Sequence, residues 1–285
     1  MRSLAPAKLN LHLRIARPRA DGFHPLLTWM TTIGLFDSLT FCEGEPGEIT
    51  MTCDEPGVPC DDRNLVMKAA KLLAQGTDHS VIIQLEKNIP HGGGLGGGSS
   101  DAAFTLLGLR RFWKMDIPPE GLDKVAAKLG SDINFFLHGP SNICTSRGEI
   151  VKPITAPAVA KWALLWLPNL VMPTPAVFRR FDEMKLGSDI TVEPDWNQWA
   201  ALSSHDLLPL LANDLETPAF TIEPSLGELR QRLERTIGRP VRMSGSGSSL
   251  FTLFDEPGEA QHLAGQLGDQ HRVRAMAVEL CPRTS

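Results

Sequence analysis

Residues 90–101, Pro-His-Gly-Gly-Gly-Leu-Gly-Gly-Gly-Ser-Ser-Asp, constrain this chain more than any other segment. Six glycines in the seven positions 92–98 let the backbone take left-handed φ values and let a ligand approach it closely. The run opens an apolar helix expected over residues 99–113. Unpaired N–H groups and the positive helix end therefore point back into the loop. A row of backbone donors of this kind is a nest for phosphate oxygens. A flexible linker is the plainer reading, but Ser99-Ser100-Asp101 at the head of an apolar helix argues against it.

The type of phosphate loop follows from its context. No Lys follows the glycines, so the GxxxxGK[ST] pattern is absent. Gly92, Gly94 and Gly97 formally satisfy GxGxxG, a weak match inside a glycine run. A dinucleotide fingerprint also needs the loop directly after a strand and an acid closing a second strand about 20 residues on. Here residues 87–91 intervene, and Asp116 is followed by Pro118-Pro119. A dinucleotide-dependent oxidoreductase is therefore disfavoured.

Composition narrows the partners. The chain has 285 residues and a net charge of −5, which excludes a polybasic nucleic-acid binder as the first reading. Five cysteines, an odd number without a CxxC, and no secretory pattern at the start point to a reduced, cytoplasmic protein. Residues 162–178 carry no charge, but Pro168, Pro173 and Pro175 interrupt them. They read as a buried strand followed by a loop, not as a membrane span. The histidines show no paired metal spacing, so no zinc is expected and the identity of any metal ligand stays unknown.

Residues 7–15 alternate Leu and Ile with Lys8, Asn10, His12 and Arg14, the period of a half-buried strand with a free polar face. Strands are expected over 26–35, 38–41 and 80–85. Helices are expected over 64–73, capped by Asp61 or Asp62, and over 122–129, ended by Gly130. A new element starts at 131–137. Further along, 162–167 is a strand, and 206–211 and 225–237 are helices, the latter opened by a Ser225–Glu228 capping box. Strands 240–244 and 250–254 flank Gly245-Ser246-Gly247, and a helix over 259–267 precedes a strand over 273–280. This β-α-β-β-α-β order is ferredoxin-like. A boundary falls near 152–160, giving domains 1–155 and 156–285.

Three segments together resemble the GHMP kinase superfamily (galactokinase, homoserine kinase, mevalonate kinase, phosphomevalonate kinase). They are Pro6-Ala7-Lys8-Leu9-Asn10-Leu11, the Pro90–Ala102 loop, and Met243-Ser244-Gly245-Ser246-Gly247-Ser248-Ser249. Arg19-Ala20-Asp21-Gly22-Phe23-His24 and Leu129-Gly130-Ser131-Asp132-Ile133-Asn134-Phe135-Phe136 are similar to the branch that acts on a CDP-linked methylerythritol. The resemblance implies an α+β, two-domain GHMP kinase fold: a ribosomal S5 domain 2-like ATP-binding domain, then a ferredoxin-like domain completing the substrate site. It implies an ATP- and Mg²⁺-dependent kinase phosphorylating the 2-hydroxyl of the CDP-linked polyol on the non-mevalonate route to isoprenoid precursors. It also implies a monomer or weak homodimer without nucleic-acid or membrane partners.

Residue roles follow from the same resemblance. Asp132 would take the proton of the attacking hydroxyl, and Lys8 would stand beside it. From position alone, Asp132 reads as a helix N-cap and Lys8 as a solvated strand lysine. ATP would meet Asn64, Lys87, Pro90, His91, Gly92, Gly93, Gly94, Leu95, Gly96, Gly97, Gly98, Ser99, Ser100 and Asp101, with Ser99 or Ser100 near the metal. The acceptor would meet Asn10, Phe23, His24, Thr174 and Phe178, with Phe23 stacking on cytosine and His24 offering its ring or backbone. Phe23 stands where the family usually has Tyr, and Asn134 where Pro is common.

Two other functions compete. A homoserine or mevalonate type kinase would not need the Phe23-His24 wall, because those acceptors have no base. A nucleotide sensor that has lost catalysis would not need to keep both Lys8 and Asp132.

Overall fold

The alternation that opens the chain becomes its longest ladder. In the computed structural model, which describes residues 1–283, β1 (Arg2–Ile15) pairs antiparallel with β2 (Leu26–Cys42). Residues 26–35 and 38–41 were expected as separate strands. They are one, because Phe36 and Asp37 continue the pairing against Pro6 and Ala5. The polar face of β1 is not free either: Lys8, Asn10 and His12 are all buried. The C-terminal half covers them, through Ser244 on Asn10, Ala212 on His12, and Trp196 and Trp199 edge-on to the His12 ring.

β3 (Ile49–Cys53) leads through α1 (Leu65–Leu73) to β4 (Val81–Glu86), its parallel neighbour. A parallel pair needs such a crossover. Asn64, not Asp61 or Asp62, caps α1: its Oδ1 accepts from Val66 N at 2.9 Å. Asp61 is turned onto Arg63 and Asp62 onto Lys71. Next come α2 (Gly97–Phe112), α3 (Pro119–Leu129), α4 (Ile133–Leu137), β5 (Ser141–Ser146) and β6 (Ile150–Pro153). The first sheet runs β3-β4-β2-β5-β6, with β1 also on β2. Helices α1 and α2 bury Val66, Leu106 and Leu109 against Leu39, Phe41 and Ile83 of that sheet.

The chain enters a second sheet at β7 (Trp162–Leu167), followed by α5 (Thr174–Glu183), α6 (Trp196–Ala200), α7 (Ser204–Leu207), α8 (Glu216–Ile222) and α9 (Pro224–Ile237). β8 (Arg242–Met243), β9 (Leu250–Phe254), α10 (Pro257–His271) and β10 (Arg274–Glu279) complete it. The order β10-β7-β9-β8 is the ferredoxin-like arrangement expected from the element sequence. Residues 162–178 form a strand, a loop and the first turn of α5, whose start at Thr174 was expected to be loop. No helix among the described residues is long and apolar enough to cross a membrane. No capping box opens α9. It begins at Pro224, and Ser225 Oγ donates to Glu223 instead. The 206–211 helix is a short α7 continued by one 3-10 turn, because Pro209 lacks the N–H an α-helix would use.

The two sheets share one core. Leu9, Leu11, Trp29 and Ile33 of the first pack with Ala163, Leu165, Phe251 and Leu253 of the second. Bridges at Leu13–Asn213 and Ile33–Leu280 stitch the edges. Ile89 and Leu95 belong to the same core and also line the cavity described next.

Candidate active site

A cavity of about 650 Å³ opens where β1, the glycine loop before α2, and the Gly245-Ser246 turn meet. The loop lies along one wall. Gly92, Gly94 and Gly96 take φ near +70°, +74° and +70°, a region that disfavours any side chain. Its carbonyls are turned into the protein. Gly92 O accepts from Met172 N at 3.3 Å, Gly93 O from Ser249 N at 3.1 Å, and Gly94 O from Ser244 Oγ at 3.0 Å. α2 starts at Gly97, two residues earlier than expected, and Gly96 brings no side chain to cap it. The first-turn N–H groups are thus left for a ligand, and the repelling oxygens are withdrawn from it.

Lys8 joins this loop to β1. Its backbone N–H donates to Leu95 O at 2.9 Å, and its ammonium donates to Gly94 O at 2.8 Å and to Asn10 Oδ1. Burial holds the Lys8 pKa below the ordinary lysine range, opposed by the Asp132 carboxylate. An ammonium has three protons, so one remains for the cavity after Asn10 and Gly94 are served. The expected role of Gly96 as a place for phosphate to approach has a second cause. A Cβ there would lie 3.0 Å from Lys8 Cγ and 3.2 Å from the Phe136 ring.

Asp132 occupies the N-cap position of α4 but makes no side-chain capping bond. Its carboxylate faces the cavity instead, near Gly148 in the turn between β5 and β6. Cys144 lies behind the pair on β5; burial, reinforced by the Asp132 charge, pushes its thiol up to about 12, so it stays neutral. Asn134, in the place where Pro is common, is buried, and its Nδ2 reaches Glu149 O at 3.5 Å.

At the other end, Lys87 is not a free nucleotide ligand. Its ammonium bridges Asp37 and Asp101, the latter at 2.7 Å. Asp37 also accepts from Asn88 N and Ile89 N, at 2.6 and 2.9 Å. Burial disfavours the Lys87 charge, but the two carboxylates outweigh it and raise its pKa. Burial also raises that of Asp101, against the pull of Lys87. The Asn64 amide is spent on the α1 cap and on Pro59 O at 2.8 Å. Both residues still line the cavity, as do Pro90, His91, Leu95 and the six loop glycines. Ser99 lines it too, whereas Ser100 is fully buried and does not.

A magnesium ion is implied with ATP. No group of three or more His, Cys, Asp or Glu suited to a metal occurs among the described residues. Ser99 on the lining, and the unpartnered Ser100 Oγ and Asp101 Oδ1 buried behind it, are the side-chain oxygens beside the first turn of α2. That sparse set fits a hydrated Mg²⁺ carried mainly by phosphates.

The residues expected around a base separate into two groups. Phe178 and Thr174 of α5 line the cavity, with Thr174 Oγ1 2.8 Å from Ser246 Oγ. The ring of His24 does not reach it. His24 is buried against Phe178 and Phe181, with Nδ1 2.9 Å from Ala16 O and Nε2 3.0 Å from Asp182. Both ring nitrogens are engaged, and the residue is not part of the cavity lining. Phe23 is half exposed outside the cavity lining, with the Arg147 guanidinium 4.6 Å from its ring centre. Sequence reasoning missed Thr28, Met30, Gly148 and the 55–59 loop with Arg63, all on the lining. Thr28 and Met30 alternate along the strand next to Lys8 and Asn10, a signal that could have found them. The 55–59 loop carried only a Pro-Gly turn.

The chain is similar to known proteins along nearly its whole length. The model for the GHMP kinases N terminal domain matches residues 64–146, and that for the GHMP kinases C terminal matches 193–272. A 4-diphosphocytidyl-2-C-methyl-D-erythritol kinase of Ralstonia pickettii is 38% identical, over 96% of this chain and 92% of its own. One from Bacillus pumilus is 36% identical, over 91% and 90%. A crystal structure of 4-(cytidine 5'-diphospho)-2C-methyl-D-erythritol kinase superposes with a TM-score of 0.79 at 37% identity, covering 99% of this chain and all of that one. A mevalonate kinase superposes at 0.72 with 12% identity, covering 99% and 100%, and shares the fold alone. Matched by both family models and aligned along nearly its whole length with these relatives, the chain belongs to the GHMP kinases, in the family of the 4-diphosphocytidyl-2-C-methyl-D-erythritol kinases.

Proposed function

We propose that this kinase transfers the γ-phosphoryl group of ATP to the 2-hydroxyl of 4-diphosphocytidyl-2-C-methyl-D-erythritol, on the non-mevalonate route to isoprenoid precursors. The observation that carries this reading is the placement of Lys8 and Asp132 on the cavity that the glycine loop also lines. Residues 1–155 supply the loop, and residues 156–285 close the acceptor end with Thr174, Phe178 and Ser246.

Phosphoryl transfer depends mostly on in-line positioning and charge neutralisation. The loop N–H groups hold the phosphates, and Ser99 and Asp101 would hold Mg²⁺, which would neutralise phosphate charge. Asp132 receives the proton of the attacking hydroxyl as the oxygen–phosphorus bond forms and ADP departs. The remaining Lys8 N–H faces the transferring group. Asn10 orients the acceptor. Phe178 and Thr174 present the base wall on the cavity lining, and Phe23, exposed outside that lining, would extend it toward a bound base.

The test is ADP release with the CDP-linked polyol, mevalonate and homoserine as acceptors. Release with the first alone is expected. Release with mevalonate or homoserine instead would replace the acceptor, and release with none would favour a nucleotide sensor.

A further inference from the structure

Thr28 lies on β2 beside Asn10, with its side chain buried at the edge of the cavity. A hydroxyl has one proton to give. That of Thr28 goes to the His12 carbonyl at 2.8 Å. The oxygen can then only accept, and the atom that reaches it is Asn10 Nδ2 at 2.9 Å. This sorts the two ends of the Asn10 amide: nitrogen toward Thr28, oxygen toward the Lys8 ammonium. In the flipped orientation the amide NH₂ would face an ammonium that can only donate, and the amide oxygen would face a hydroxyl whose proton is already committed. The register shift between Asn10 and His12 falls at this point on β1.

We propose that Thr28 is a positioning residue for phosphoryl transfer, acting through Asn10 on Lys8. With Asn10 Oδ1 and Gly94 O each taking one ammonium proton, the third is directed into the cavity. Thr28 itself does no chemistry. Its hydroxyl sets a direction, and its methyl group is incidental to the role.

The inference rests on the acceptor reading above for its kinetic test, so a second readout needs no acceptor. Thr28→Val keeps the shape and removes the hydroxyl; Thr28→Ser keeps the hydroxyl and removes the methyl. Thr28→Val should lose roughly 10–100-fold in kcat, by analogy with the loss when a partner that orients a metal's ligand is removed. Its KM for ATP should change little, and Thr28→Ser should retain most activity. In an Asn10→Ala background Thr28→Val should add almost nothing, because the two act in series. A packing role predicts the reverse order, with Ser as damaged as Val or worse, and that order overturns the proposal. So does a wild-type kcat in Thr28→Val. Should Thr28→Val not fold, Thr28→Ala against Thr28→Ser makes the same comparison. The second readout is hydrogen exchange of the Asn10 side-chain amide in the protein alone. Protection in wild type and Thr28→Ser, lost in Thr28→Val, is the expected result. Equal protection in all three overturns the proposal even if the acceptor proves to be a different alcohol.

Discussion

The stem of Lys8 fills the space that Gly96 leaves open: a Cβ on Gly96 would stand 3.0 Å from Lys8 Cγ and 3.1 Å from Lys8 Cε. The glycine loop and Lys8 are thus packed as one unit. Gly96→Val should fail twice, by forcing a β-branched residue to φ near +70° and by displacing Lys8. The expected outcome is a folded protein with ATP affinity and turnover both lost. Isothermal titration with ATP on a variant of unchanged circular dichroism checks this.

Lys87 holds two buried carboxylates, Asp37 and Asp101, at the root of the same loop. Removing its charge in Lys87→Met leaves both without a cation, although Asp37 keeps its two backbone donors. Breaking a buried pair this way costs about 3–5 kcal/mol. A lower urea midpoint with an unchanged m-value is expected. If ATP affinity fell and the midpoint did not move, Lys87 would be a direct nucleotide ligand.

His12 is buried between the sheets, accepting from Ala212 N, and burial pushes its pKa down to about 4 from 6.5. The folded state therefore binds fewer protons than the unfolded state between these values. Stability from this group is complete above pH 6.5 and is lost as pH falls toward 4, by roughly 3 kcal/mol. A His12→Gln variant should show a shallower fall in stability across that window, measured by urea titration at pH 7.0, 5.5 and 4.5.

Phe23 carries the base-recognition prediction. Phe23→Ala should weaken binding of the CDP-linked acceptor by about 1–3 kcal/mol, the scale of one base–aromatic stack. ATP affinity should hold. A loss confined to ATP would move this aromatic to the other nucleotide. Competition binding with CDP separates the two.

The glycine loop, the helix behind it and the ferredoxin-like strand order were legible because each depends on local chemistry: φ freedom, apolar period and turn residues. Lys87 and His24 were legible as positions but not as roles. Nothing local shows that Asp37, fifty residues earlier, claims the Lys87 ammonium, or that Asp182 closes over His24. The buried polar face of β1 was misread for the same reason. Period two shows that one face is polar, not that Ser244, Ala212 and two tryptophans from the other half cover it. Asn64 took the cap expected of Asp61 or Asp62, because both aspartates had nearby basic partners.

In the proposed mechanism Asp132 and Lys8 carry out the transfer. Asp132 sits at a helix start yet caps nothing, which leaves its carboxylate for chemistry. The direct measurement is single-turnover phosphoryl transfer at saturating ATP and CDP-linked acceptor for Asp132→Asn, Lys8→Met and the double variant. Asp132→Asn should be slower by about 10²–10⁴-fold, the scale of general-base loss. Lys8→Met should also be slow, and the double variant scarcely worse than the worse single one, since residues acting as a unit are not additive. Both singles should still bind ATP and acceptor. Near-wild-type transfer by Asp132→Asn would contradict the account, reducing Asp132 to a residue at the start of a helix.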